Sequence, residues 1–158
     1  MRTIQFMNDI CHSAISEDVA GSGPDGGALS AVLEAAEQLR ERLEGALVDV
    51  GLSISKFDAM DQLVSAGEPL TLGDLASRLR CVRSNITQLV DRLEADGLVK
   101  RGMCPDDRRA VRATVTPIGR ERHAAGVTAI RGVQSDLAGH LEATERERLV
   151  RLLSALIG

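Results

Sequence analysis

The chain has 158 residues, enough for one domain with its own core. It is 44% hydrophobic, with two phenylalanines and no tyrosine or tryptophan. That composition excludes a disordered chain and predicts an aliphatic core, which suits packed helices better than a β-sandwich. Net charge is −4, but eleven basic and six acidic residues lie between Arg78 and Arg122. This local net of +5 leaves −9 to the rest of the chain, an asymmetry that fits either a polyanion partner or a solvated surface.

The first thirty residues hold no apolar run of signal-peptide length, and no later run could span a bilayer. A cytoplasmic location with no membrane partner is therefore expected. Cys11, Cys81 and Cys104 are then reduced thiols, and no C-x-x-C pair suggests a structural zinc site.

Residues 1–27 form an N-terminal extension that ends in the break "GSGPDGG". From Leu29, apolar residues at 32, 33, 36, 39, 43 and 47 follow helical spacing. A long amphipathic helix is predicted over residues 28–50, stopped at Gly51. Ser53 is placed to cap a second helix, with Phe57, Met60, Leu63 and Val64 inward and Gly67 at its end. Thr71 and Asp74 open a third with capping-box spacing, and Leu72, Leu75, Ala76 and Leu79 form its apolar face. After the short break "RCV", the segment "RSNITQLVDRLEADG" turns Ile86, Leu89, Val90 and Leu93 inward and stops at Gly97.

Two helices joined by so short a turn predict a helix-turn-helix. A hairpin follows, and "AVRATVT" alternates as its half-buried return strand, with Val111, Ala113 and Val115 inward. Thr116 and Pro117 begin the next helix as N-cap and first residue, running to about Leu141. A last helix is expected over Glu145 to Ile157, behind a Thr144–Glu147 capping box. The fold class expected is mainly α with a small β-hairpin wing. A winged helix-turn-helix at 51–116 lies between an N-terminal dimerisation helix at 28–50 and C-terminal dimerisation helices at 117–158.

The outward face of the fourth helix carries Ser84, Asn85, Thr87 and Gln88, with Arg92 a turn later. Asn and Gln pair bidentately with adenine in the major groove; Ser, Thr and Arg reach bases or phosphates. An ordinary polar helix face is the plain reading, and the basic hairpin that follows turns the balance toward DNA. At the hairpin tip, "DRR" lets Asp107 brace Arg109 for a narrow minor groove while Arg108 faces phosphate.

From about Leu52 to Glu121 the chain resembles the MarR family of winged helix-turn-helix transcription regulators. The resemblance rests on "LTLGDLASRL", "SNITQLVDRLEADGLVKR" and "DDRRAVRATVTPIGRE". It implies wing residues Asp107 and Arg109, and recognition positions Ser84, Asn85, Thr87, Gln88 and Arg92. Val82 departs from the usual Ser or Thr cap. Arg83 replaces a common proline and offers a phosphate contact. Cys104 stands where a polar residue is usual. The implied function is a homodimeric regulator, a repressor by expectation, binding palindromic double-stranded DNA under the control of a small effector.

Cys81 should pack inward as a small hydrophobe. Cys104, near several arginines, should be exposed. Cys11 and His12 offer a soft-metal pair, so thiol-based metal or oxidant sensing by Cys11, His12, Cys104 and, last, Cys81 stands as the alternative to an organic effector. His123 and His140 fall on helix surfaces without ligand spacing. An enzyme has no support: there is no phosphate-binding glycine loop, ligand-spaced histidine cluster or nucleophile motif. The other rival is a winged-helix protein-interaction module without DNA binding, which would have little need for Asn85, Gln88, Asp107 and Arg109 together.

Overall fold

The computed structural model describes residues 24–103 and 110–157. Helix α1 runs Pro24–Val48, so it begins inside the glycine-rich break. Helix α2 spans Ile54–Ala66, strand β1 Leu70–Thr71 and helix α3 Leu72–Arg78. Helix α4 (Arg83–Ala95) leads to the hairpin strands β2 (Val99–Met103) and β3 (Val111–Val115). Helices α5 (Pro117–Gly139) and α6 (Ala143–Ile157) complete the chain.

Side-chain oxygens fix several of these boundaries. Ser53 accepts from the Lys56 N–H at 3.3 Å, Thr71 from Asp74 at 3.1 Å and Thr116 from Gly119 at 2.9 Å. Each supplies one of the acceptors that a helix N-terminus lacks. Gly67 closes α2 with φ 69°, a conformation that costs glycine little. The last helix departs from expectation. Thr144 lies inside α6, which starts at Ala143, and Glu145 Oε2 accepts from the Glu142 N–H at 2.8 Å. The reciprocal half of a capping box thus operates two residues earlier than the Thr144–Glu147 pair.

The core is aliphatic. Leu47, Leu52, Met60, Leu63, Leu75, Ile86, Val90, Leu93, Leu98 and Val99 are buried in one cluster that joins α1 to the winged region. Three strands rather than two form the sheet, in the order β1-β3-β2, all antiparallel. Val99 pairs with Val115, Arg101 with Ala113 and Met103 with Val111. Ala113 and Val115 are buried as expected; Val111 is exposed, because the hairpin has by then left the core.

Helix α5 joins the winged region through small residues on one face. Thr116 Oγ1 donates to the Gly97 carbonyl at 2.8 Å, and Gly119 packs directly on the Leu98 carbonyl, leaving no room for a Cβ. Gly126 lies under Phe57, whose Cδ2 would be 2.8 Å from an added methyl. Between these glycines sits His123, buried rather than on the surface as the sequence suggested. Its ring stacks on Phe57, centroids 5.1 Å apart, and Nε2 is 3.0 Å from Asp61 Oδ1. His140 is exposed, with Nδ1 2.7 Å from the Asp136 carbonyl oxygen.

Candidate nucleic-acid interface

The turn between α3 and α4 is built by a helix terminator. The Arg80 N–H donates to Ser77 O at 3.2 Å and the Cys81 N–H to Ala76 O at 2.9 Å. This paired arrangement needs a left-handed residue at its hinge, usually glycine. Arg80 occupies it with φ 51°, the one non-glycine residue of positive φ among those described. Cys81 is half-buried against the core, and its Sγ donates to Leu79 O at 3.3 Å.

Helix α4 then starts without a side-chain cap, Val82 being an exposed apolar residue at the N-cap. Ile86, Val90 and Leu93 anchor its inner face. Its outer face presents Ser84, Thr87, Gln88 and Arg92 to solvent, with Asn85 half-exposed. The expected recognition positions therefore share one surface. The Thr87 hydroxyl donates to the Arg83 carbonyl at 3.1 Å, which leaves its methyl and lone pairs outward. Arg83 is exposed and reaches back to the start of α3: a Cβ on Gly73 would lie 3.0 Å from its Nη2.

The charge of this region is less free than its composition suggests. Arg101 is engaged with Asp91 and Glu94, and Arg122 donates to the Val50 carbonyl at 2.7 Å. Arg78, Arg80, Arg83, Arg92 and Lys100 stay exposed around the helix-turn-helix. Sequence reasoning missed the Arg101 role; Asp91 and Glu94, ten and seven residues before it, were the available signal.

Cys104, Asp107, Arg108 and Arg109 lie outside the described residues, as do Cys11 and His12. Of the proposed thiol set, Cys81 alone can be placed, away from any metal-competent cluster. Among the described residues, no group of three or more His, Cys, Asp or Glu side chains is arranged to hold a metal ion. No described helix is long and apolar enough to cross a membrane.

Residues 50–110 match the model of the MarR family. Over this segment the chain is similar to the MarR family. The segment contains α2, β1, α3, α4 and β2, the elements that build the surface above. MarR-family proteins are transcription regulators, not enzymes. The chain is 35% identical over 71 residues to the HTH-type transcriptional regulator YkoM of Bacillus subtilis, covering 45% of this chain and 46% of YkoM. It thus spans less than half the length of that relative. The match to YdgJ of the same bacterium is 23% over 154 residues, covering 92% and 93% of the two chains.

Solved MarR-family structures share the fold. A mutant MarR from E. coli complexed with operator DNA has a TM-score of 0.70 at 21% identity, over 82% of this chain and 92% of that one. The repressor CouR, bound to a 23-mer DNA duplex, has a TM-score of 0.71 at 24% identity, over 81% and 90%.

Proposed function

We propose that this protein is a sequence-specific transcription regulator that binds double-stranded DNA through α4 and the wing. It acts as a homodimeric repressor on a palindromic operator, and a small effector lowers its affinity. The observation that carries this reading is the polar outer face of α4. Ser84, Asn85, Thr87, Gln88 and Arg92 have no core to serve, and they stand beside a basic hairpin in a segment similar to the MarR family. Relatives of the same fold are named as bound to DNA, which supports the docking mode. Asp107, Arg108 and Arg109 are assigned to the wing contact from the sequence motif alone.

Support for the dimer comes from α6, where Leu149, Leu152 and Leu156 are 42%, 57% and 72% exposed. A helix with such a stripe buries it against another chain more cheaply than against water. The two-fold axis then implies half-sites about one helical turn apart. An open depression lined by Val50, Ile118, Glu121, Arg122 and Ala125 is where we place a small organic effector, with a second chain closing over it. The half-burial of Cys81 favours that ligand class over a switch at this thiol.

Selection of bound duplexes from a random pool, repeated with candidate organic acids, peroxide and thiophilic metals, tests the proposal. Enrichment of an inverted repeat, lost on adding one of these compounds, is the expected result. A pool that never enriches would leave the protein-interaction reading in its place.

A further inference from the structure

Arg101 is central in β2, opposite Ala113, on the sheet face that also carries Val99. That face is turned to the core and to α4, and the Arg101 side chain is only 25% exposed. A charged group so placed needs partners, and α4 supplies them over two turns. Nη2 donates to the Thr87 carbonyl at 3.2 Å and pairs with the Asp91 carboxylate. Nε lies 3.3 Å from Glu94 Oε2, and the Arg101 backbone N–H donates to Glu94 Oε1 at 3.0 Å. The planar fork of an arginine is suited to such a spread of acceptors; an ammonium is a single point charge.

Two physical consequences follow. The strand that begins the wing is tied to α4 at residues 87, 91 and 94, so the angle between helix and hairpin is fixed. Thr87 belongs to the outward polar face, and Asp91 stands one turn beyond it. Without a counter-charge, Asp91 and Glu94 would set two carboxylates near the path of a polyanion. The contact therefore combines alignment and neutralisation in one side chain.

We infer that Arg101 is a positioning residue for DNA recognition, acting through Asp91, Glu94 and the Thr87 carbonyl rather than by touching phosphate. The inference rests on the DNA-binding reading above. It assigns to Arg101 the alignment of the base-reading helix with the groove-reading wing. Specific binding, which needs both at once, depends on it more than non-specific binding does.

The test measures binding of the full chain to its selected duplex and to a scrambled duplex, by fluorescence anisotropy over a range of salt. Arg101→Gln should weaken the selected duplex at least tenfold and the scrambled one less than threefold. The slope of log affinity against log salt should stay unchanged, since no phosphate contact is lost. Arg101→Lys, which keeps the charge and guards against a folding defect, should restore the scrambled duplex fully and the selected one only in part. With Asp91→Asn and Glu94→Gln already in place, Arg101→Gln should cost less than threefold. A slope that falls by about 0.9, with the full loss persisting in that background, would make Arg101 a direct phosphate contact and overturn the inference. Equal losses on both duplexes, or a lysine variant equal to wild type, would also overturn it. A wild-type protein that selects no duplex would overturn the DNA-binding reading as well.

Discussion

Arg80 holds a left-handed backbone at the hinge of the α3 terminator, where glycine is usual. For an L-residue that conformation costs about 1 kcal/mol. Arg80→Gly should therefore raise stability by up to that amount, read from the denaturant midpoint at unchanged m-value. Gly119→Ala should act in the other direction, by about 1–3 kcal/mol, because the new methyl would meet the Leu98 backbone carbonyl. A third effect depends on pH. Partial desolvation, then the like charge of Asp61, hold the Asp58 carboxyl above its ordinary range, although the residue as a whole is solvent-accessible. A raised carboxyl pKa costs stability above the folded pKa and nothing below the unfolded one. Asp58→Asn should raise the Tm at pH 7, and the gain should fade as pH drops to about 3.9. The glycines and His123 were not legible in the sequence for a common reason. Their meaning comes from atoms of α2, Leu98 and β3 packed against α5, and a helical spacing of 119, 123 and 126 looks alike whether a neighbour or water covers it.

Helix ends were far more legible, because a cap is a local exchange of hydrogen bonds between residues three apart. Ser53, Thr71 and Thr116 cap as their sequence context predicts. The polar face of α4 was equally readable, since its complement, Ile86, Val90 and Leu93, has a 3.6-residue period. Strand β1, two residues long, carries no period at all; its pairing of Leu70 with Ala113 exists only once the hairpin is in place. Helix α4 also shows what an unsatisfied element costs. Val82 stands at the N-cap with extended geometry (φ −71°, ψ 144°), which a serine could adopt unchanged. Val82→Ser should stabilise the protein by about 1 kcal/mol, and thermal unfolding of the two proteins side by side would show it. A variant that is no more stable would mean the α4 N–H groups already have equivalent partners.

For the molecule as a whole, α6 poses the largest open energetic question. Arg146 ties its start to the end of α5, donating to the Ala138 carbonyl at 2.9 Å, but its leucine stripe remains exposed. If a second copy covers that stripe, Leu152→Asp should shift the protein toward monomer in sedimentation velocity at micromolar concentration. The wild-type Tm should also rise with protein concentration, by mass action. A wild-type protein that sediments as a monomer at that concentration would refute the dimer.

The close approach of Gly119 to Leu98, with His123 and Gly126 following, makes α5 and the winged region one stiff piece. Helix α5 has 23 residues, so it is about 34 Å long at 1.5 Å per residue. It is a rod whose tip, at Thr116 and Gly119, meets the end of α4 through Gly97 and Leu98. A tilt of about 5° at the far end, small enough to be absorbed by side-chain repacking, swings the tip by about 3 Å, close to the 3.4 Å rise of one nucleotide along a strand. Under the function proposed above, length alone would set the gearing: an effector that nudged the remote end of α5 would carry α4 out of step with its half-site.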